Sequence, residues 1–136
     1  NAQTLFGTEA KDSSNIYYHS LSKYLDNLNV QPEIIYIEKN YLITGNMPTE
    51  LRGYTLKYFD QFDIKKHLKK NAQMTLVRII PLRVKGADFF VNVIPFTVAY
   101  KKRNFNYINS GGLGVKYEYD SGFGGLKFKS AKMGGI

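Results

Sequence analysis

The strongest constraint on the fold is a pair of long apolar runs at the centre of the chain, residues 74–85 and 89–101. Nearly every position in both runs is apolar, which is typical of strands covered on both faces. The intervening Gly86-Ala87-Asp88 has the composition of a turn. The two runs therefore predict a long antiparallel β-hairpin at the centre of the fold.

Each run contains one proline, Pro81 in the first and Pro95 in the second. Because proline has no N–H to donate to a neighbouring strand, each marks a bulge, a bend or an edge position. Pairing the runs about the centre of the turn places Pro81 opposite Asn92. The same register places Pro95 opposite Arg78. The two interruptions are staggered, as expected of long strands that bend round a core.

Residues 14–28 predict an amphipathic helix, because their apolar residues recur at intervals of three and four on an arc of about 120°. These apolar residues are Tyr17, Tyr18, Leu21, Tyr24, Leu25 and Leu28. The polar residues 12–14 can cap the start of the helix, and Asn29 with Pro32 can end it. His19 lies on the polar side, where we expect a solvated side chain.

The rest of the chain alternates apolar segments with turn residues. It predicts a hairpin over 34–43, a helical turn over 48–51, a strand over 54–59, a short helix over 64–70 that Asp63 caps, a strand over 105–108 and a last hairpin over 115–128. The whole predicts an α+β fold, with a curved antiparallel sheet packed on the N-terminal helix. This order of elements is similar to that of the cystatin-like and nuclear-transport-factor-like architectures, without a shared residue motif.

The length of 136 residues fits a single domain over 1–136. Residues 1–12 predict a polar lead-in, whose positions 1–2 fit the remnant of a cleaved tag, and residues 131–136 predict a frayed tail. No apolar run approaches the ~18 residues that cross a bilayer. Residues 3–7 fit a mature start after leader removal, so we expect an exported protein, periplasmic or secreted, rather than a cytoplasmic one.

Charge is divided unevenly along the chain. Residues 1–50 carry three lysines against six acidic residues, whereas residues 51–136 carry sixteen lysines and arginines against five. The C-terminal part therefore has a strong positive excess, which favours contact with nucleic acid, anionic lipid or acidic polysaccharide. Two clusters are candidates for an anion-binding surface: Lys65, Lys66, Lys69 and Lys70 on the second helix, and Lys101, Lys102 and Arg103 at a strand end. The alternative is a basic surface that only keeps the protein in solution.

Several chemistries lack their parts. The chain contains no cysteine, which excludes disulfides, thiolate nucleophiles and cysteine-ligated metals. His19 and His67 lie in no metal-binding spacing, and the glycine clusters near residues 111–114 and 122–125 neither precede a helix nor lead into a phosphate-loop lysine. The sequence therefore predicts no metal, no cofactor and no recognisable catalytic motif.

Two functions remain open at this point. The first is a non-enzymatic, exported interaction module that binds an anionic polymer or an envelope protein through its basic half. The second is a small-molecule carrier or enzyme with a cavity between the helix and the bent sheet, in which His67 and Asp63 are the candidate acid–base residues. A purely structural role, in which an edge strand pairs with a partner, is a third reading.

Overall fold

The computed structural model describes residues 5–6, 14–28, 33–109, 111–122 and 124–134. Over these residues the chain forms two helices and nine strands. In chain order they are β1 (Leu5–Phe6), α1 (Ser14–Asp26), β2 (Ile34–Glu38), β3 (Glu50–Leu51), β4 (Tyr54–Phe59), α2 (Gln61–Leu68), β5 (Met74–Lys85), β6 (Asp88–Lys101), β7 (Asn104–Asn109), β8 (Leu113–Asp120) and β9 (Gly125–Met133).

All nine described strands belong to one sheet. Eight of them follow the order β1-β9-β8-β6-β5-β2-β4-β3, and β7 pairs with β6. The sheet is mostly antiparallel, but β2 runs parallel to both β4 and β5. The predicted α+β class, with the N-terminal helix in contact with the sheet, is confirmed, and the sheet is mixed rather than wholly antiparallel.

The predicted hairpin over 34–43 is wrong, because only its first half is a strand. Residues 41–46 form turns, in which the carbonyl oxygen of Asn40 accepts hydrogen bonds from the N–H groups of Ile43 and Thr44. These turns bury the side chain of Ile43 in the core. A turn, and not a second strand, therefore holds Ile43 in the core. The next strand to pair with β2 is β4, and it runs parallel to β2.

Two boundaries near α2 also differ from those predicted. The helical turn predicted over 48–51 is wrong, because its last two residues form β3, antiparallel to β4. The helix α2 begins at Gln61, and its N-cap is Asp60 rather than Asp63. Asp60 Oδ1 accepts a hydrogen bond from the N–H of Asp63, and Asp63 Oδ2 accepts one from the N–H of Asp60. This reciprocal capping box satisfies two backbone donors at the start of the helix.

The ends of the chain contain more strand than predicted. The lead-in predicted over 1–12 contains β1, which pairs antiparallel with β9. The frayed tail predicted over 131–136 is wrong for residues 131–133, which belong to β9 and pair with β8. The predicted helix-capping positions 12–13 and the predicted helix end at 29–32 lie outside the described residues.

The central hairpin of β5 and β6 is confirmed. Its predicted register holds from the turn to Arg83 and is wrong by one residue beyond this point. The pairing shifts between Ile80 and Arg83, which places an irregularity of the bulge type at Pro81. Because this irregularity adds one residue to β5, Asn92 pairs with Ile80 rather than with Pro81. The proline therefore marks a bulge, one of the three positions that the sequence allowed.

The second proline lies where β6 changes its neighbour. On one edge of β6, β8 pairs as far as Val93 and β7 pairs from Phe96 onward. Pro95 lies between these two pairings, and on the other edge it pairs with Val77 rather than with Arg78. A residue that cannot donate a backbone hydrogen bond is thus located in a gap of the ladder, where the missing N–H is tolerated.

The helix α1 packs on one face of the sheet through most of its predicted apolar stripe. Leu21 is completely buried, whereas Tyr18, which the periodicity assigned to the same stripe, is 44% exposed. The residues that form this core include Ile16, Tyr17, Leu21, Tyr24 and Leu25 of α1 and Ile37, Leu56, Val77, Val91, Val115 and Tyr117 of the sheet. Burial of each large side chain contributes about 1.5–3 kcal/mol, so this face supplies most of the stability.

The helix α2 covers part of the opposite face of the sheet. Successive residues of a strand point to opposite faces, so Leu76 faces α2 while Val77 faces α1. Ile64 of α2 is completely buried against Leu76 and Val98. Val98 lies in the C-terminal half of β6. The N-terminal half of β6, on this same face, carries the polar and charged side chains described next.

Candidate functional site

Cross-strand register assembles a basic surface on the sheet face opposite α1. One row of directly paired residues runs across four strands and consists of Arg83, Phe90, Lys116 and Ser130. The next row consists of Asn92, Gly114 and Lys132. Neighbouring strands lie about 4.8 Å apart, so the four-residue row extends for about 14 Å. Residues distant in sequence are therefore neighbours across one patch of sheet.

These rows line a concavity with a volume of about 780 Å³, which we call the basic concavity. Its lining residues are Arg83, Val84, Lys85, Phe90, Asn92, Gly114, Lys116, Ser130 and Lys132. The ring of Phe90 lies between two cations: its centroid is 6.0 Å from the Arg83 guanidinium carbon and 5.6 Å from Lys116 Nζ. The volume lies within the range of about 300–1,000 Å³ that is usual for ligand-binding pockets.

The charge around the basic concavity is only partly neutralised. Among the described residues, Lys116 is the one lining cation with an acidic neighbour, since its Nζ lies 3.9 Å from Asp88 Oδ2. Arg83, Lys85 and Lys132 form no ion pair with a described carboxylate. A concave surface with uncompensated positive charge concentrates the field and attracts anions.

The acidic residues of this region lie towards the β8–β9 turn. Lys129 Nζ is 3.2 Å from Asp88 Oδ1 and 3.6 Å from Glu118 Oε1. The hydrogen bond from Lys129 to Asp88 raises the pKa of the lysine, because it favours the charged form. These carboxylates are therefore already engaged by Lys129, and the uncompensated positive charge lies on the side of Arg83 and Lys132.

The carboxamide of Asn92 forms the floor of the basic concavity. Only 6% of this residue is exposed, and its Oδ1 accepts a hydrogen bond of 2.6 Å from Arg83 Nη2. The acceptor role of Oδ1 fixes the other end of the side chain as the NH₂ group. Gly114 is the paired residue on β8, and a Cβ atom at position 114 would lie 3.2 Å from Asn92 Nδ2. Because position 114 has no side chain, no Cβ atom crowds the amide nitrogen.

The two predicted lysine clusters lie farther along the same sheet. All four lysines of the first cluster are exposed. The helix predicted over 64–70 ends at Leu68, so Lys69 is its C-cap and Lys70 follows it. Lys65 Nζ lies 5.4 Å from the ring centroid of Tyr100, next to Lys101, and this contact brings Lys65 close to the strand-end cluster. Lys102 and Arg103 form the turn between β6 and β7, both with left-handed backbone angles (φ 52° and 67°). Such two-residue turns normally favour Asn and Gly, so two basic residues hold this turn at a backbone cost.

The two predicted pocket residues do not converge. The carboxylate of Asp63 is engaged in the capping box of α2, and it lines a shallow surface depression beside Lys39. His67 is half-buried, with its ring 4.9 Å from that of Tyr36 and 5.8 Å from that of Phe59. The structure therefore places Asp63 and His67 in different environments, although both belong to α2.

His67 lines a separate apolar cleft of about 420 Å³, which we call the His67 cleft. It lies between the end of α1, β2, β5 and α2, and its lining residues are Tyr24, Leu28, Ile34, Ile35, Tyr36, His67, Gln73, Met74, Thr75 and Val77. Burial raises the pKa of Tyr24, so this hydroxyl remains protonated well above neutral pH.

His19 is not the solvated side chain that its position on the helix predicts. Its Nδ1 lies 2.8 Å from the hydroxyl of Tyr117, and its ring lies 5.2 Å from that of Phe128. Desolvation, reinforced by the positive charge of Lys23, lowers the pKa of His19 to about 4. The Ser20 hydroxyl lies 2.8 Å from the same tyrosine oxygen. The imidazole is therefore neutral at neutral pH and forms part of a network that joins α1 to β8.

Sequence reasoning missed the residues of the basic concavity. Lys116 occupies a polar position of an alternating strand, which the pattern assigns to an ordinary wet face, and Lys132 lies in the predicted frayed tail. The available signal was the pairing of β6 with both of its neighbours, which would have placed Arg83, Phe90 and Lys116 in one row. The register predicted about the turn already pairs Arg83 with Phe90, because the bulge in β5 changes the register only beyond Arg83. The pairing of β6 with β8, which places Lys116 beside Phe90, has no local signal in the sequence.

Neither helix in the described part of the chain has the length and apolar character needed to cross a membrane. Within the same residues, no three side chains of His, Asp or Glu come together as a metal site requires.

Comparisons with protein-family models, with curated proteins and with solved structures found no significant match to this chain.

Proposed function

We propose that this protein is a non-enzymatic binding module that holds an anionic polymer against its basic concavity. The observation that carries this proposal is the convergence of four cations from three strands, Arg83 and Lys85 of β5, Lys116 of β8 and Lys132 of β9, on one concave surface. Three of the four have no described carboxylate partner. Cations arranged in this way bind a polyanion favourably, because they displace the counterions that are condensed on the polyanion.

The lysine clusters extend this surface in the proposal. Phe90 and Tyr100 lie ten positions apart on β6 and on the same face of the strand, which corresponds to about 33 Å. A ligand that contacts both Arg83 and Lys65 must span this distance, so an extended polymer fits better than a compact molecule. The export predicted from the sequence stays a prediction, and an exported protein of this kind would meet acidic polysaccharides.

Fluorescence anisotropy across a salt series tests the proposal, with a labelled single-stranded oligonucleotide and a labelled sulfated polysaccharide as probes. The double variant Arg83→Glu/Lys132→Glu removes two cations of the basic concavity. Each phosphate contact contributes about 0.7 to the slope of log affinity against log salt for single strands, so the slope of the oligonucleotide should fall by about 1.4. Affinity for both probes should fall at least about tenfold at constant salt.

The matched control is Lys39→Glu/Lys57→Glu, which makes the same change in net charge at two exposed lysines of another region. This control should bind almost as the unaltered protein does. If both double variants lose affinity equally, the attraction reflects net charge and the basic concavity is not the binding site. If the unaltered protein releases both probes by about 150 mM salt, the positive charge is only a solvated surface.

The His67 cleft supports a second candidate function, the binding of a small apolar molecule. Its walls are mostly apolar and also carry a few polar groups, which is the usual composition of small-molecule sites. These polar groups belong to Tyr24, Tyr36, His67, Gln73 and Thr75. The neutral dye 1-N-phenylnaphthylamine should bind with one-to-one stoichiometry, and Thr75→Phe should fill the cleft and abolish this binding. Binding that persists in Thr75→Phe would exclude the cleft as the site.

A further inference from the structure

We propose that the basic concavity contains a defined site for one tetrahedral oxyanion, the phosphate or sulfate group of a ligand, held by Asn92, Arg83 and Lys132 above Gly114. This inference rests on the proposed function and deepens it, because it names the chemical group that the concavity recognises. It predicts saturable binding of a single anion, beyond the diffuse attraction of a charged surface.

The amide of Asn92 is the central element of this site. Its oxygen is occupied by Arg83 Nη2 at 2.6 Å, and no described residue accepts a hydrogen bond from its Nδ2. Among the described residues, no fully enclosed side-chain nitrogen or oxygen lacks a partner, so this NH₂ group must reach the surface of the concavity. Since 94% of the residue is buried, its donors have few directions in which to find an acceptor other than a ligand or water in the concavity.

Gly114 provides the space in which the acceptor would lie. Its backbone is not in the left-handed region that favours glycine, unlike Gly111 and Gly112. Its conformation therefore does not require glycine, whereas the space above it does: a Cβ atom would lie 3.2 Å from Asn92 Nδ2, closer than nearly all ordinary contacts of this kind. A side chain at this position would occupy the place of a ligand oxygen.

Two cations complete the site from opposite sides. Arg83, on β5, uses one Nη2 hydrogen for Asn92 and retains further N–H donors of its planar guanidinium. Lys132, on β9, is the cross-strand neighbour of Gly114 and has no described carboxylate partner. Donors approach from three strands, and a tetrahedral oxyanion offers at least three acceptor oxygens, whereas a carboxylate offers two. The arrangement therefore favours phosphate or sulfate.

Nuclear magnetic resonance titration of the full chain tests this inference, with the side-chain NH₂ signal of Asn92 as the reporter. Inorganic phosphate, sodium sulfate and sodium chloride are added at constant ionic strength. Phosphate or sulfate should shift the Asn92 signal in a saturable manner, and chloride should not. The relative affinities of phosphate and sulfate then indicate whether the natural ligand is a phosphorylated or a sulfated polymer.

Gly114→Ala is the decisive variant, because it adds one methyl group and changes no charge. We expect its affinity for phosphate or sulfate to fall at least about tenfold, as one lost charge-assisted contact implies. The matched control is Gly122→Ala, the same substitution in the turn between β8 and β9, outside the concavity. The backbone of Gly122 does not lie in the left-handed region, and a Cβ atom there would lie 3.1 Å from Asp120 Oδ1, the end of a flexible side chain. This variant should retain binding. If Gly114→Ala does not fold, Lys132→Ala serves instead, with a loss of about three- to tenfold expected.

The outcomes separate this inference from the proposed function. The oxyanion site is refuted if neither phosphate nor sulfate shifts the Asn92 signal at concentrations up to about 50 mM. It is also refuted if Gly114→Ala binds these anions as the unaltered protein does. Salt-dependent binding of the polymers in either case would leave the polymer-binding surface standing. If the oxyanions bind and the polymers do not, the polymer function is refuted and the site takes a small phosphorylated or sulfated molecule.

Discussion

The hydroxyl of Tyr117 offers the sharpest test of how α1 is attached to the sheet. Tyr117 is completely buried, and its hydroxyl lies 2.8 Å from both His19 Nδ1 and Ser20 Oγ and donates to the carbonyl oxygen of Ile16 at 3.3 Å. The substitution Tyr117→Phe removes only this oxygen and keeps the ring in the core. Burial holds the pKa of Tyr117 well above its usual value, so the hydroxyl is protonated at all working pH values.

The magnitude follows from the partners that remain. In the variant, the carbonyl oxygen of Ile16 still accepts a hydrogen bond of 2.8 Å from Ser20 Oγ, so the main loss falls on His19. Removing one hydrogen-bond partner of a buried polar group costs about 1–3 kcal/mol, and His19 is only half-buried, so we expect a loss of about 1–2 kcal/mol. For a chain of this size that loss lowers Tm by about 3–8 °C.

Urea unfolding followed by far-ultraviolet circular dichroism measures this difference, since the chain contains no tryptophan. The matched control is Tyr119→Phe, the same substitution on the same strand at a residue that is 56% exposed, and it should change the free energy of unfolding by less than about 0.5 kcal/mol. The m-value should be unchanged in both variants. Equal stability of the two variants would refute a stabilising role for the Tyr117 hydroxyl.

Two further predictions concern the same helix. Because the pKa of His19 in the folded protein is about 4, against 6.5 without burial, the unfolded chain binds more protons between these values. The free energy of unfolding should therefore fall by about 1–2 kcal/mol as the pH decreases from 6.5 to 4, after allowance for solvent screening of the partly exposed ring. His19→Gln should remove this part of the pH dependence. An unchanged profile in His19→Gln would contradict the lowered pKa of His19. Leu21→Ala should lower the free energy of unfolding by about 3–5 kcal/mol in urea, because the side chain is completely buried. The control Leu42→Ala, at a residue that is 89% exposed, should lower it by less than about 0.5 kcal/mol. Similar losses in the two variants would contradict the position of α1.

The sequence predicted the elements whose signal is local. The spacing of Tyr17, Leu21, Tyr24 and Leu25 located α1, and all four are buried. The central hairpin also followed from composition and its turn. The parallel pairing of β2 could not be predicted in this way. It depends on the hydrogen-bonded turn at residues 40–44, which buries the side chain of Ile43 where the sequence suggests a second strand. Apolar alternation does not distinguish these two ways of burying a side chain.

The candidate site was less predictable than the fold. The lysine clusters were found because their members are adjacent in sequence or on one helix face. Arg83, Lys116 and Lys132 lie on three strands, and one-residue errors in register would point each of them to the wrong face. The bulge in β5 introduces an error of this kind at Asn92, whereas Arg83 keeps its predicted partner Phe90. His19 was misplaced for a related reason: helical periodicity gives its side of α1, but not that Tyr117 and Phe128 reach it.

The distance along the chain between α1 and the strand that completes its packing has a consequence for biosynthesis. The contact between His19 and Tyr117 spans 98 positions. At a synthesis rate of about 5–20 residues per second, roughly 5–20 s separate the two residues during translation. During this interval β8 is not yet available to cover the apolar side of α1. The nascent chain therefore exposes apolar surface, to which chaperones bind and through which chains aggregate. Productive folding must therefore await β8, and a fragment that ends before β8 should not acquire the native core.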